Sequence, residues 1–123
     1  MPKVMIVDDS ETLRNSLAKL LTGAGLEAVE AADGVQGIAL WGVHGPDIGL
    51  IVTDYNMPEM DGITMIRKIR GLPKGAEVPV FMLTTESSPD LKASGKEVGV
   101  KAWVTKPFND EKLIMAVKKM LGA

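Results

Sequence analysis

Apolar residues in this chain follow two patterns that take turns. Short, nearly unbroken runs alternate with stretches in which apolar positions recur every three or four residues. Val4-Met5-Ile6-Val7 is the first run, stopped by Asp8-Asp9-Ser10. So short a run suits a strand covered on both faces better than a buried helix. Leu13, Leu17, Leu20, Leu21 and Ala24 then keep helical spacing. Ser10 or Asp9 can cap the start of that helix, and Gly25 closes it. Leu26 to Ala31 mixes apolar and acidic residues as a second strand would. Asp33-Gly34 signals a turn, and Val35, Ile38 and Ala39 begin a short second helix ending near Gly42 to Gly45.

Pro46-Asp47 leads into a third run, Leu50-Ile51-Val52-Thr53, which ends on Asp54 and is followed by Tyr55-Asn56-Met57-Pro58. The third helix starts at about Gly62, places Ile63, Ile66 and Ile69 on one face, and stops before Gly71 and Pro73. A fourth strand, Val78 to Leu83, ends on Thr84-Thr85. Ser88-Pro89 starts a fourth helix, with serine as cap and proline at the first position. That helix runs to about Val98 and is weakened at its centre by Ser94-Gly95. Ala102-Trp103-Val104 is a fifth strand, broken by Lys106-Pro107. Asn109 caps a last helix with Leu113, Ile114, Val117 and Leu121 inward.

Five strands alternating with five helices imply an α/β fold with a parallel sheet covered on both faces. Right-handed crossovers restrict it to a doubly wound sheet. The 123 residues suit one domain, residues 1–123, with no internal repeat or linker. The chain ends within two residues of the last predicted helix, so either an output domain is missing or the protein is expected to act by docking.

Composition narrows the chemistry. A net charge of −2 offers no electrostatic footprint for nucleic acid or an acidic membrane. The lack of cysteine excludes disulfides, thiolate chemistry and cysteine zinc sites. The single histidine, His44, excludes a histidine-rich metal centre and is expected on a solvated loop without a catalytic part. No apolar segment approaches the roughly 18 residues of a membrane span. After Lys3 the apolar run is too short for a signal peptide, so a cytoplasmic protein is expected. Most of the eight methionines are expected to fill the core, and Trp41 to cover a helix face.

In a doubly wound sheet the carboxyl ends of the strands share one edge, where ligands collect. Here those ends carry Asp8 and Asp9, Asp54, Thr84, and Lys106 just past the fifth strand. Taken singly, Asp8-Asp9-Ser10 reads as a helix cap, Lys106-Pro107 as a turn and Thr84 as a strand-end hydroxyl. Independent turns have no reason to place these groups at matching strand ends. Crowded carboxylates repel unless a cation joins them. Oxygen ligands in small number suit Mg²⁺, which keeps several waters and shares a phosphate readily. Three carboxylates, one Mg²⁺ and one Lys⁺ sum to zero. An acyl phosphate on Asp54 would bring the site to about −1, to be met by further hydrogen-bond donors. The pattern points to phosphoryl transfer by positioning and charge neutralisation.

Four motifs in order resemble those of the receiver domains of two-component response regulators, in the style of the stand-alone chemotaxis (CheY-like) type. They are Val7-Asp8-Asp9-Ser10, Asp54-Tyr55-Asn56-Met57-Pro58 with Met60-Asp61-Gly62, Leu83-Thr84-Thr85-Glu86, and Lys106-Pro107-Phe108. The resemblance covers essentially the whole chain and implies a flavodoxin-like strand order 2-1-3-4-5. It implies Asp54 as the phosphoacceptor, loaded from a histidine kinase. It assigns Mg²⁺ to the side chains of Asp9 and Asp54, to Asp8 through water and to the backbone carbonyl of Asn56. Thr84 would swing toward the phosphoryl group, Lys106 would pair with it, and the Lys106-Pro107 peptide would be cis. Asn56 and Glu86 would tune how fast water attacks the acyl phosphate. Output would pass through helix four, strand five and helix five, by way of Thr84 and Trp103. The partner would be a flagellar motor switch protein or, in a relay or phosphate-sink role outside chemotaxis, a histidine phosphotransfer domain. A monomer is expected, acting as a switch with self-phosphorylation and autodephosphorylation and not as an enzyme. A haloacid-dehalogenase-like phosphatase is a remote alternative, because that family wants an acid where Asn56 stands.

Two positions depart from the family's habit. Trp103 stands where the family usually carries Tyr or Phe. The larger indole is expected either to be held outward or to need movement of the neighbouring helix before it turns inward. Thr85 replaces a commonly small residue and would narrow access for phosphodonors.

Overall fold

The computed structural model describes residues 2–122. Five strands, β1 (Lys3–Val7), β2 (Glu27–Ala31), β3 (Ile48–Thr53), β4 (Val80–Thr84) and β5 (Val100–Thr105), form one parallel sheet in the order β2-β1-β3-β4-β5. Five helices connect and cover them: α1 (Glu11–Gly23), α2 (Gly34–His44), α3 (Gly62–Arg70), α4 (Pro89–Glu97) and α5 (Asp110–Leu121). The expected doubly wound α/β architecture is the one observed.

Strand periodicity sorts the core into two layers. Val4, Ile6, Leu50, Val52, Phe81 and Leu83 face α1 and α5, where Leu17, Leu21, Leu113 and Val117 meet them. The alternate residues Met5, Val7, Ile51, Val80 and Met82 face the opposite layer, with Ile63, Met65, Ile66 and Ile69 of α3. Because successive side chains alternate across a strand, each strand feeds both layers and the central ones read as unbroken apolar runs. Trp103 on β5 shares the α3–α4 layer.

Each helix begins at a side-chain cap: Ser10, Asp33, Asp61, Ser88 and Asn109 each accept from the backbone N–H three residues on. Gly25, just past α1, takes φ +84°, the left-handed conformation that glycine reaches without a Cβ penalty.

Several expectations shift. Val35 is 52% exposed, and Ala39 is exposed as well. The buried face of α2 is Gly34, Gly37 and Trp41 instead. A Cβ on Gly37 would stand 2.7 Å from Met65 Sδ, so α2 packs close through a residue that a hydropathy pattern undervalues. His44 is not on a loop but in the last turn of α2, half-buried, and a single 3₁₀ turn (Gly45–Asp47) follows it. Trp41 is in the core, and its indole N–H donates to the Pro73 carbonyl at 3.1 Å. Val78 and Pro79 precede β4, and β5 is longer than the expected Ala102–Val104. Met5, Met65 and Met82 fill the core as expected, whereas Met115 is 70% exposed on α5.

Candidate functional site at the carboxyl edge of the sheet

β1 and β3 are hydrogen-bonded neighbours, paired from Lys3 to Val7 against Ile48 to Thr53. The residues that follow them are therefore brought side by side. The N–H of Asp54 donates to the Val7 carbonyl at 2.9 Å, and that of Asp8 to the Ala31 carbonyl at 3.1 Å. Asp8, Asp9 and Asp54 each offer an oxygen, and those oxygens lie within 4.8 Å of one another. Asp8 and Asp54 are 4% and 8% exposed, while Asp9 lies at the surface and leaves one side of the cluster open to water.

Lys106 completes this group. Its ammonium donates to Asp8 Oδ2 at 2.9 Å and to Asp54 Oδ2 at 3.0 Å. The Lys106 N–H donates to the Thr84 carbonyl at 2.9 Å, which ties the β5–α5 loop to the end of β4. The Lys106-Pro107 peptide is cis. Burial, the largest single influence, pulls the Lys106 pKa down. Hydrogen bonds and charge attraction from Asp8 and Asp54 together outweigh it and hold the pKa above the ordinary lysine value.

The remaining carboxylate oxygens are also engaged. Asp54 Oδ1 accepts from the Tyr55 N–H at 2.6 Å, and Asp8 Oδ1 from the Ser10 N–H at 2.9 Å. With a donor on each oxygen, Asp54 is held in one orientation. Its backbone is held as well, since Gly62 N–H donates to the Tyr55 carbonyl at 2.8 Å. A Cβ on Gly62 would collide with the Asp54 carbonyl oxygen. The glycine that opens α3 thus lets that helix approach the strand end carrying Asp54.

Thr84 is fully buried, and its hydroxyl accepts from the Glu86 N–H at 3.2 Å. Asn56 and Glu86, on the loops after β3 and β4, meet directly: Asn56 Nδ2 donates to Glu86 Oε1 at 2.7 Å. Trp103 Nε1 donates to the Glu86 carbonyl at 2.7 Å. The indole packs on Gly95 of α4, where a Cβ would stand 2.9 Å from its Cζ3. The glycine supplies the room in which the larger aromatic lies. Thr85 is exposed and lines a groove of about 530 Å³ with Leu13, Lys106, Pro107, Phe108 and Asp110. That places it beside the lysine.

Every expected site residue therefore sits at this edge of the sheet or one hydrogen bond removed from it. One contributor had no sequence signal strong enough to single it out. Arg14 of α1 donates through Nη1 to the Asp8 carbonyl at 2.7 Å and lies 3.7 Å from Glu30. Gly62 was legible as a helix start and as part of a motif, but how closely it approaches the Asp54 carbonyl was not. The donor set of the acidic cluster is all oxygen and partly open to water, which fits a hard divalent cation with retained waters.

The fold and site together define a doubly wound α/β domain with an acidic cluster, Asp8, Asp9 and Asp54, joined by a lysine at the carboxyl edge of its sheet. Residues 4–118 match the family described as Response regulator receiver domain, and the chain belongs to that family. It is 34% identical over 119 residues to the chemotaxis protein CheY of Pseudomonas aeruginosa, covering 96% of this chain and 94% of the relative. Among solved structures, Vibrio cholerae CheY4 superposes with a TM-score of 0.90 at 38% identity, over 98% of this chain and 99% of that one. The CheY in a CheX–CheY–BeF₃–Mg²⁺ complex from Borrelia burgdorferi superposes with a TM-score of 0.87 at 28% identity, over 96% and 87%.

Proposed function

We propose that this protein is a phosphorylation-switched binding module in which Asp54 accepts a phosphoryl group from a histidine kinase. The reading rests above all on Asp54 Oδ2 sharing Lys106 with Asp8 while Asp9 stands within the same 4.8 Å cluster. In the transfer, an Asp54 carboxylate oxygen forms a bond to phosphorus as the N–P bond of the phosphohistidine breaks. The electron pair of that bond stays on the imidazole nitrogen. Mg²⁺ held by Asp8, Asp9 and Asp54, with the Asn56 backbone carbonyl, would supply positive charge to the transferring phosphoryl oxygens. Lys106, already hydrogen-bonded to Asp54, would follow the new negative charge. For Thr84 to turn toward the phosphoryl group its hydroxyl must release the Glu86 N–H.

The output face in this reading is α4, β5 and α5, and the pathway is chemotaxis or flagellar motor control. The chemotaxis proteins among its relatives support that setting, and the Borrelia relative's complex with beryllium fluoride and magnesium supports the metal and the phosphoryl chemistry. The protein would act in the cytoplasm, where kinase phosphohistidine is available. Among the described residues no helix is long and apolar enough to cross a membrane.

The test is direct. Wild type and Asp54→Asn are incubated with Mg²⁺ and acetyl phosphate, and intact mass is followed. One phosphoryl adduct is expected on the wild type and none on the variant. Tryptophan fluorescence is expected to change with acetyl phosphate or beryllium fluoride, with Trp103→Phe separating Trp103 from Trp41. An adduct that survives Asp54→Asn overturns the assignment.

A further inference from the structure

Three hydrogen bonds from three parts of the fold converge on Glu86. Its carboxylate accepts from Asn56, its backbone carbonyl accepts from the Trp103 indole, and its N–H donates to Thr84. Among the described residues, the bond to Glu86 is the one hydrogen bond made by the Asn56 side chain. Asn56 is exposed and Glu86 is half-buried, so neither is held by packing alone. A long acidic side chain at such a place would otherwise sample several rotamers. The indole removes part of that freedom by fixing the backbone from which the Glu86 side chain extends.

Trp103 is itself held by a feature of α4 that leaves room for the indole. A glycine within a helix is unfavourable, yet Gly95 is buried in the last turn of α4. A methyl group there would stand 2.9 Å from Cζ3 and 3.4 Å from Cε3 of the indole. Gly95 therefore opens a notch in which the ring lies with its N–H directed at Glu86.

We propose that Trp103 is a positioning residue for hydrolysis of phospho-Asp54, acting through the Glu86 backbone on the Glu86–Asn56 pair. This inference rests on the phosphoacceptor reading above. In the hydrolysis, a water oxygen bonds to phosphorus while the bond from phosphorus to the Asp54 oxygen breaks. The electron pair returns to the carboxylate, and the water proton leaves to solvent. Asn56 Nδ2 is committed to Glu86, so Asn56 presents Oδ1 as an acceptor for the attacking water. Fixing that amide shortens the search for a productive geometry. A side chain on the α4–β5 face thereby sets part of the lifetime of the signal, and a partner that lifts the indole would lengthen that lifetime.

Five proteins test the link: wild type, Trp103→Phe, Gly95→Ala, Glu86→Ala and the double variant Glu86→Ala/Trp103→Phe. Each is loaded with acetyl phosphate and Mg²⁺, the donor is removed, and decay of the adduct is followed by intact mass. Trp103→Phe keeps an aromatic ring but drops the donor, and Gly95→Ala pushes out an unaltered indole. Both are expected to slow decay by roughly 2- to 30-fold, the range of coupling carried by single residues outside a site. Glu86→Ala is expected to slow decay too, and adding Trp103→Phe to it to change nothing further. In the unphosphorylated protein, the Asn56 side-chain amide resonances are expected to shift in Trp103→Phe. Unchanged decay in Trp103→Phe, or additive slowing in the double variant, overturns this inference alone. No adduct on the wild type overturns the phosphoacceptor reading and takes this inference with it.

Discussion

Lys106 shows how one side chain can be held by opposing forces. Burial alone would favour its neutral form, but two carboxylates at 2.9 and 3.0 Å favour the ammonium by more. A pKa raised in the folded state means a contribution to stability that is complete below the unfolded value. It disappears as pH rises through the folded one. In metal-free protein, the urea midpoint is therefore expected to gain nothing from this group as pH falls further below the ordinary lysine value of 10.5 and to drop above it. Lys106→Met should flatten that alkaline limb, which a pH series of urea titrations would reveal. Gly62 matters for a different reason. Gly62→Ala forces its new methyl against the Asp54 carbonyl. It is expected to cost about 1–3 kcal/mol in urea unfolding, as overpacking does, and to lower the yield of phosphoryl adduct. An Ala variant with wild-type stability and adduct yield would show that the strand end can retreat freely.

At the scale of elements, α3 is held at both ends. Its first residue is Gly62, against the strand end of Asp54. Its last, Arg70, donates from Nε to the Val98 carbonyl at 2.9 Å and from Nη1 to Gly75 and Val78 at 3.0 and 2.6 Å. The guanidinium thus joins α3, the approach to β4 and the α4–β5 turn through backbone carbonyls. Burial lowers its pKa, yet it stays charged at any ordinary pH. A lysine cannot reproduce the planar fork. Arg70→Lys is expected to cost more than about 1 kcal/mol, and Arg70→Met about 2–4 kcal/mol, because carbonyls lose partners. Chemical denaturation with an unchanged m-value would establish this, and equal midpoints for all three proteins would contradict it. The cap of α5 is a milder case: Asn109→Ala is expected to cost about 1 kcal/mol, since Lys112 N–H loses its acceptor.

For the whole molecule, the two apolar layers hold the sheet while its carboxyl edge gathers like charges. Drawing Asp8, Asp9 and Asp54 together costs repulsion that Lys106 relieves only in part. A divalent cation that binds the folded cluster and not the unfolded chain must stabilise the fold, by about 2.7 kcal/mol at 100 times its dissociation constant. Mg²⁺ is accordingly expected to raise the melting temperature in a concentration-dependent way, and Asp9→Asn to weaken that response. A thermal series that gives the same shift for both proteins would place the ion elsewhere.

Much of this molecule was legible in its residues because the two periods, near 3.6 and near 2, leave different traces. Unbroken runs such as Val4–Val7 and Leu50–Val52 marked strands buried on both faces, and acids at their ends marked the edge where ligands collect. Helix caps were readable too, since Ser88-Pro89 and Asn109 act on backbone groups within a few residues. What escaped the sequence depends on atoms distant along the chain. The inward face of α2 could not be found from hydropathy, because Gly37 is chosen for how near Met65 comes. The glycines around His44 read as breakers and suggest a loop, yet α2 runs through Gly42 and ends only at Gly45. The placing of Trp103 was likewise undetermined until α4 was seen to present Gly95 to it. By itself, then, the sequence determined the order of elements, the layered sheet and the set of charges at its edge, all consequences of local pattern. Only the tertiary structure decided the close contacts, among them Gly62 beneath Asp54 and the indole bonded to Glu86, because these follow from the distance between elements once both layers have packed.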